Sequence, residues 1–193
     1  MSNQTPNSSL QERSSTHHSG DDRRLVIGVS SCLLGHGVRY DGKHKYHSLI
    51  ATHLCSVFHC LPICPEYAIG LGVPREPIKL VRSGTSILAI GVNDSSVDVT
   101  TPLQTYAESV SQQFPTICGY VFKSRSPSCA IQSAPLSNID EQIVGFTSGI
   151  FAQHLLDRFP GLPVIEETAL TDDGNVEQFA QSVKRYANAA GIQ

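Results

Sequence analysis

At 193 residues the chain is long enough for one ordinary domain and short for two. Its formal net charge of −3 argues against a broadly basic nucleic-acid-binding surface, and no apolar run reaches the roughly 18 residues of a membrane span, which predicts a soluble protein. Six cysteines are too few for a disulfide scaffold at this length, and the first residues lack the charged-then-apolar pattern of a secretory leader; both predict a reducing, cytoplasmic setting.

Residues 1–24 hold six serines and six charged residues against Met1 and Leu10 as the only apolar ones, so they are expected to form a disordered tail ahead of a domain at 25–193. Residues 25–30, LVIGVS, read as a short β-branched strand. Over 46–58, Ile50, Leu54, Val57 and Phe58 fall at helical spacing, and 60–64, CLPIC, is a second short apolar run. The stretches 77–81 and 86–92 predict a hairpin turning at 82–84. Thr101 is expected to cap a helix with Pro102 at its first position and Leu103, Tyr106, Val110 and Phe114 along its apolar face. A strand at 117–123, a helix at 150–159 and a strand at 162–165 follow. Val176, Phe179, Val183 and Tyr186 mark a last amphipathic helix. Strands alternating with helices predict a single Rossmann-like layered α/β domain with a mostly parallel sheet and a small β-hairpin insertion.

In open parallel sheets ligands bind outside the carboxyl ends of the strands. Three of those ends deliver a cysteine within a turn rich in Gly, Pro or Ser: Cys32 after 25–30, Cys64 closing 60–64, and Cys129 after 117–123. Cys55 within the helix, Cys118 within a strand and Cys60 at a strand start read instead as small buried hydrophobes. Three converging thiolates suit a soft metal or an iron–sulfur cluster; a zinc site would take a histidine as fourth ligand, and a reactive thiol with a resolving partner is a further possibility. Glu66, two residues past Cys64, is placed to act as acid or base, against the commoner fate of an exposed loop carboxylate. Ser126 is placed to orient a substrate or relay a proton, against the role of a turn serine before proline. Arg39-Tyr40-Asp41-Gly42 has the composition of a turn, and Arg75, Lys79, Lys123 and Arg125 are cations available to an anionic ligand or to solvent.

Five segments in this order, Ser30-Ser31-Cys32-Leu33-Leu34-Gly35, Arg39-Tyr40-Asp41-Gly42, Cys64-Pro65-Glu66, Gly70-Leu71-Gly72-Val73-Pro74-Arg75 and Ser126-Pro127-Ser128-Cys129, resemble the thiouracil desulfurase family over about residues 25–190. The resemblance implies a 4Fe-4S cluster held by Cys32, Cys64 and Cys129 with one iron free of protein ligands. It implies that the C=S of a thiolated pyrimidine such as 2-thiouracil is replaced by C=O without net redox, releasing sulfide. Glu66 and Ser126 take the catalytic positions in this comparison, and Ser31, Arg39, Asp41 and Lys123 are the expected substrate contacts. The expected partner is a small thiolated pyrimidine, with no membrane and no nucleic acid involved. Two rival readings of the same residues are a zinc-bearing or metal-free nucleotide-binding module and a thiol redox protein.

Overall fold

The computed structural model describes residues 24–193, so the tail expected at 1–24 lies, but for Arg24, outside the described residues. The β-branched run after it forms β1 (Val26–Ser30), which pairs in parallel with β2 (His59–Ile63) on one side and β5 (Gly119–Phe122) on the other. β5 pairs in parallel with β8 (Val164–Glu166), giving the order β2-β1-β5-β8. Successive side chains alternate between the faces. Ile27, Val29 and Val121 pack with Leu33, Ile50, Leu54 and Phe58 and with Val176, Phe179 and Val183 of α5 (Asp173–Ala190). Tyr120 and Phe122 face the opposite layer, made by α3 (Thr100–Gln113) and α4 (Ile150–Arg158) through Ala107, Val110, Phe151 and Leu155. The sheet is therefore buried on both sides, as all-parallel sheets require.

The chain leaves β1 for β2 on one side and later returns to add β5 on the other. The progression of strands thus reverses at β1, the topological switch point at which such sheets open a crevice.

The predicted hairpin is present as β3 (Ile78–Ser83) and β4 (Ser86–Gly91), but it is half of a second sheet rather than a small insertion. β6 (Ala134–Ser137) pairs in parallel with β3, and β7 (Ile143–Thr147) pairs antiparallel with β6, in the order β4-β3-β6-β7. Leu80, Ala89, Val99, Leu103, Ala134 and Leu136 form its core.

Two local expectations change. The periodic stretch at 46–58 is a π-helical segment (Ile50–Leu54) running into a single turn, α1 (Cys55–Val57), not a full α-helix. α3 starts at Thr100, so Thr101 and Pro102 lie inside its first turn; the Asp98 carboxylate accepts from the Thr100 amide at 2.8 Å, and the Thr100 hydroxyl accepts from the Ala89 amide at 2.8 Å. Asp172 does cap α5, accepting from the Asn175 amide at 2.9 Å, and Gly191 ends it in the left-handed conformation. No helix among the described residues is long and apolar enough to cross a membrane.

Candidate functional site

Three strand ends meet at the switch point. β1 runs into a 3-10 turn (Ser31–Leu34) that holds Cys32; β2 is followed directly by Cys64, with Pro65 opening the short α2 (Pro65–Ala68); β5 runs into the turn that ends at Cys129. All three cysteines are unpaired and line one cavity of about 430 Å³. Cys118 is also free and buried, but it precedes β5 at the other edge of the sheet, its thiol turned to the Thr116 carbonyl at 3.2 Å.

Cys55 and Cys60 are not the buried hydrophobes expected of them. They form a disulfide across the tight passage from α1 into β2, with their Cα atoms 5.4 Å apart, a separation that suits the bond. The Cys-x4-Cys spacing was the only sequence signal of this bond.

The Cys129 turn is fixed from two sides. The Ser126 hydroxyl oxygen accepts from the amides of Ser128 at 3.2 Å and Cys129 at 3.1 Å. The first-turn amides of α4, which have no partner within their own helix, are satisfied by this turn: Ile150 donates to the Pro127 carbonyl and Ala152 to that of Ser128, both at 3.0 Å. Gly149 permits the contact, since a Cβ there would lie 2.3 Å from the Ser128 carbonyl carbon.

Glu66 sits in α2 on the cavity wall and is gripped at both oxygens. Arg75 donates to Oε2 through Nε at 3.0 Å and Nη2 at 2.8 Å, and the buried Ser128 hydroxyl donates to Oε1 at 2.9 Å. The remaining guanidinium nitrogen donates to the carbonyls of Val38 and Gly72, both at 2.9 Å. Arg75 is thus a positioning group for Glu66, not a free cation. Ser128 is the residue that the sequence reading passed over, although it lies inside the Ser-Pro-Ser-Cys segment.

Ser31, Arg39 and Lys123 line the same cavity, whereas Asp41 does not. Asp41 accepts from the Lys43 amide at 3.1 Å, which with Arg39 lowers its pKa, and stands 3.5 Å from Arg39 Nε. Arg39 also lies over the Tyr40 ring, 5.3 Å from its centre. The Lys123 ammonium pairs with Glu167 and donates to the Ser124 hydroxyl at 2.9 Å; its backbone amide donates to Ser30 Oγ at 3.0 Å. Burial alone would raise the Glu167 pKa, but Lys123 and the amide and hydroxyl of Ser124 outweigh it and hold that carboxyl below its ordinary value. Lys79 and Arg125 divide: Lys79 pairs with Glu141 away from the cavity, and Arg125 lines its rim.

Burial pushes the thiol of Cys32 up to about 11, with a further rise from Cys64, against the lowering pull of Arg39 and Lys123. Burial likewise raises Cys64 and, much further, the fully enclosed Cys129. Three thiolates gathered here are costly without positive charge among them, which is what coordinated iron supplies. Among the described residues no group of three or more His, Cys, Asp or Glu side chains, the three cavity cysteines included, is drawn together around a single-ion site. A four-iron cluster is wider than an ion and takes each thiolate on a different iron, which suits donors spread around a cavity wall.

The 2-thiouracil desulfurase family profile matches residues 27–167. The uncharacterized protein YbbK of Bacillus subtilis (strain 168) is 31% identical over 159 residues, which cover 76% of this chain and 99% of the relative. The solved structure of the 4Fe-4S-dependent thiouracil desulfidase TudS is similar with a TM-score of 0.60 and 28% identity, covering 83% of this chain and 99% of that one.

Proposed function

This chain belongs to the 2-thiouracil desulfurase family, and on that premise we propose that it hydrolyses the thiocarbonyl of a small thiolated pyrimidine such as 2-thiouracil, giving C=O and sulfide without net redox. The observation that carries the reading is the convergence of Cys32, Cys64, Cys129 and Glu66 on one cavity at the sheet's switch point. The three cysteines are the ligands assigned to a 4Fe-4S cluster. When bound, that cluster supplies an iron without a protein ligand that withdraws electrons from the thiocarbonyl sulfur. The unit that carries the activity is residues 25–193, acting in the cytoplasm.

The chain's own groups account for the rest. Arg75 and Ser128 hold the Glu66 carboxylate in one orientation, and Glu66 takes a proton from the attacking water. The water oxygen bonds to the ring carbon, the carbon–sulfur bond breaks with its electron pair going to sulfur, and the water's two protons, one carried by Glu66, leave with that sulfur as hydrogen sulfide. Ser126 accepts two amides through its oxygen and so has its hydroxyl proton available for the ring. Ser31, Arg39 and Lys123 bound the ring's position, with Asp41 acting only through Arg39. The cavity's volume suits a nucleobase or nucleoside, and the chain's negative charge does not favour a nucleic acid.

The test is anaerobic reconstitution with iron and sulfide, followed by incubation with 2-thiouracil. A brown protein with a broad band near ~400 nm and sulfide released in step with uracil is the expected result. Colourless, iron-free protein, or a loaded protein that releases no sulfide from any thiolated pyrimidine, overturns the reading.

A further inference from the structure

β8 brings no cysteine to the cavity, yet it runs parallel to β5 and its carboxyl end lies at the same edge of the sheet. Two adjacent carboxylates stand there, Glu166 as the last residue of β8 and Glu167 opening the 3-10 turn behind it. Both hold the segment 123–133, which carries Ser126 and Cys129. At its near end, Glu167 Oε2 accepts from the Ser124 amide at 2.7 Å, and Oε1 accepts from the Ser124 hydroxyl at 2.8 Å and from the Lys123 ammonium. At its far end, Glu166 Oε1 accepts from the Ile131 amide at 2.6 Å and from the Ser133 hydroxyl at 2.5 Å. The Ser133 oxygen in turn accepts from the Arg125 amide at 2.9 Å. Arg125 has a left-handed backbone with φ 58°, which a residue with a side chain keeps only where its surroundings impose it.

The Lys123–Glu167 pair is mostly buried, its side chains 16% and 11% exposed. Burying two charges gains little stability over an apolar pair of the same size, so the pair points to geometry rather than to stability. The three ammonium protons are all taken, by Glu167, by the Ser124 carbonyl at 3.1 Å and by the Ser124 hydroxyl at 2.9 Å. Lys123 lines the cavity but has no proton left to give a ligand, so its ammonium serves as a strut between β5 and β8. We propose that Glu167 is a positioning residue for the desulfuration: together with Glu166 it pins both ends of the loop 124–133 and so sets the places of Ser126 and Cys129. Ser128, in the middle of that loop, donates to Glu66, so a loop that shifts takes the Glu66 carboxylate with it. The catalytic part of this inference rests on the reaction proposed above; the grip on the loop does not.

Two measurements on the full chain test it. Glu167→Ala removes both acceptor oxygens, and Glu167→Gln keeps the shape and removes the charge. In cluster-free protein, hydrogen exchange read by mass spectrometry is expected to be about 10-fold faster over 124–133 in Glu167→Ala, and faster in the same direction in Glu167→Gln, with β1 and β2 exchanging as in the parent. Should Glu167→Ala not fold, Glu167→Gln carries this measurement. In anaerobically reconstituted protein of matched iron content, Glu167→Gln is expected to lower kcat for 2-thiouracil by about 10–10²-fold and to leave KM within a factor of about two, since no contact to the substrate is lost. Glu141→Gln, which breaks the exposed Lys79–Glu141 pair away from the cavity, is expected to match the parent in both measurements. Parent-like exchange over 124–133 in the Glu167 variants would overturn the grip on the loop. Faster exchange with parent-like kcat, or a fall confined to KM, would overturn the positioning role. Failure of the loaded parent to release sulfide would overturn the reaction reading, and the positioning role with it, while the exchange result would still decide whether Glu167 holds the loop.

Discussion

The two sheets divide the work of the molecule. In the first, every strand is parallel to its neighbours, so each must be joined to the next by a long crossover, and turns far apart in sequence arrive side by side at one edge. Cys32, Cys64 and Cys129 meet in this way. The second sheet is built from two hairpins that return at once, β3 to β4 across Ser83 and Ser86 and β6 to β7 nearby. Each hairpin gathers only its own neighbours, and the parallel β3–β6 pairing joins the two. The sheet gives the cavity a wall at Pro77 and Ile78, and its edge strand leaves Ile143 and Phe146 more than 60% exposed. Long crossovers collect chemistry, and short returns supply shape.

That contrast breaks first at the cysteines. Cys32→Ser, Cys64→Ser and Cys129→Ser are each expected to lose essentially all bound iron and all sulfide release, whereas Cys118→Ala keeps both; iron analysis after anaerobic reconstitution decides it. Iron retention by all three serine variants would separate the cluster from the switch point. Next in size is Glu66→Gln, which keeps the shape of the side chain and removes its proton-accepting charge. Its turnover is expected to fall by about 10²–10⁴-fold at parent-like iron content and visible spectrum, as measured by uracil formation. Ser126→Ala is expected to fall less.

A smaller effect sharpens the packing side of the comparison. Gly28→Ala forces a methyl group against Tyr120 between two buried strands and is expected to cost about 1–3 kcal/mol in urea unfolding. An unchanged midpoint would mean that β1 and β5 yield more easily than the buried sheet implies. The smallest effect belongs to the second sheet: Phe146→Ser, on its exposed edge, is expected to change stability by no more than about 0.5 kcal/mol and to leave turnover as it was.

The strand ends were legible in the sequence because apolar β-branched runs stop abruptly at turn residues, and the cysteines sit in those stops. The five segments that resemble the desulfurase family carried the same three cysteines and Glu66. Sequence reasoning did not reach the partners of those residues. Arg75 and Ser128 grip Glu66 from 9 and 62 positions away, and Glu167 reaches Lys123 across 44, distances at which no local pattern speaks. β6 and β7 stayed hidden for a different reason: both are short, Pro135 interrupts one and Gly145 the other, and β7 alternates poorly because it is largely exposed. The Cys55–Cys60 bond was missed because a helical period was read through 46–58, where the chain instead loosens into a π-helical segment and turns sharply into β2.

The bond from the Lys123 amide to Ser30 Oγ joins residues 93 positions apart and closes the cavity between β1 and β5. During synthesis, β1 and β2 can pair as soon as the first third of the chain has left the ribosome, yet the pocket has no far wall until β5 and the Cys129 turn emerge. That turn in turn waits for the first residues of α4, whose amides hold it. The nascent protein therefore carries two of its three cavity thiols for a long interval before it has anywhere to put a cofactor. On the reading proposed above, delivery of iron and sulfide therefore follows completion of the domain.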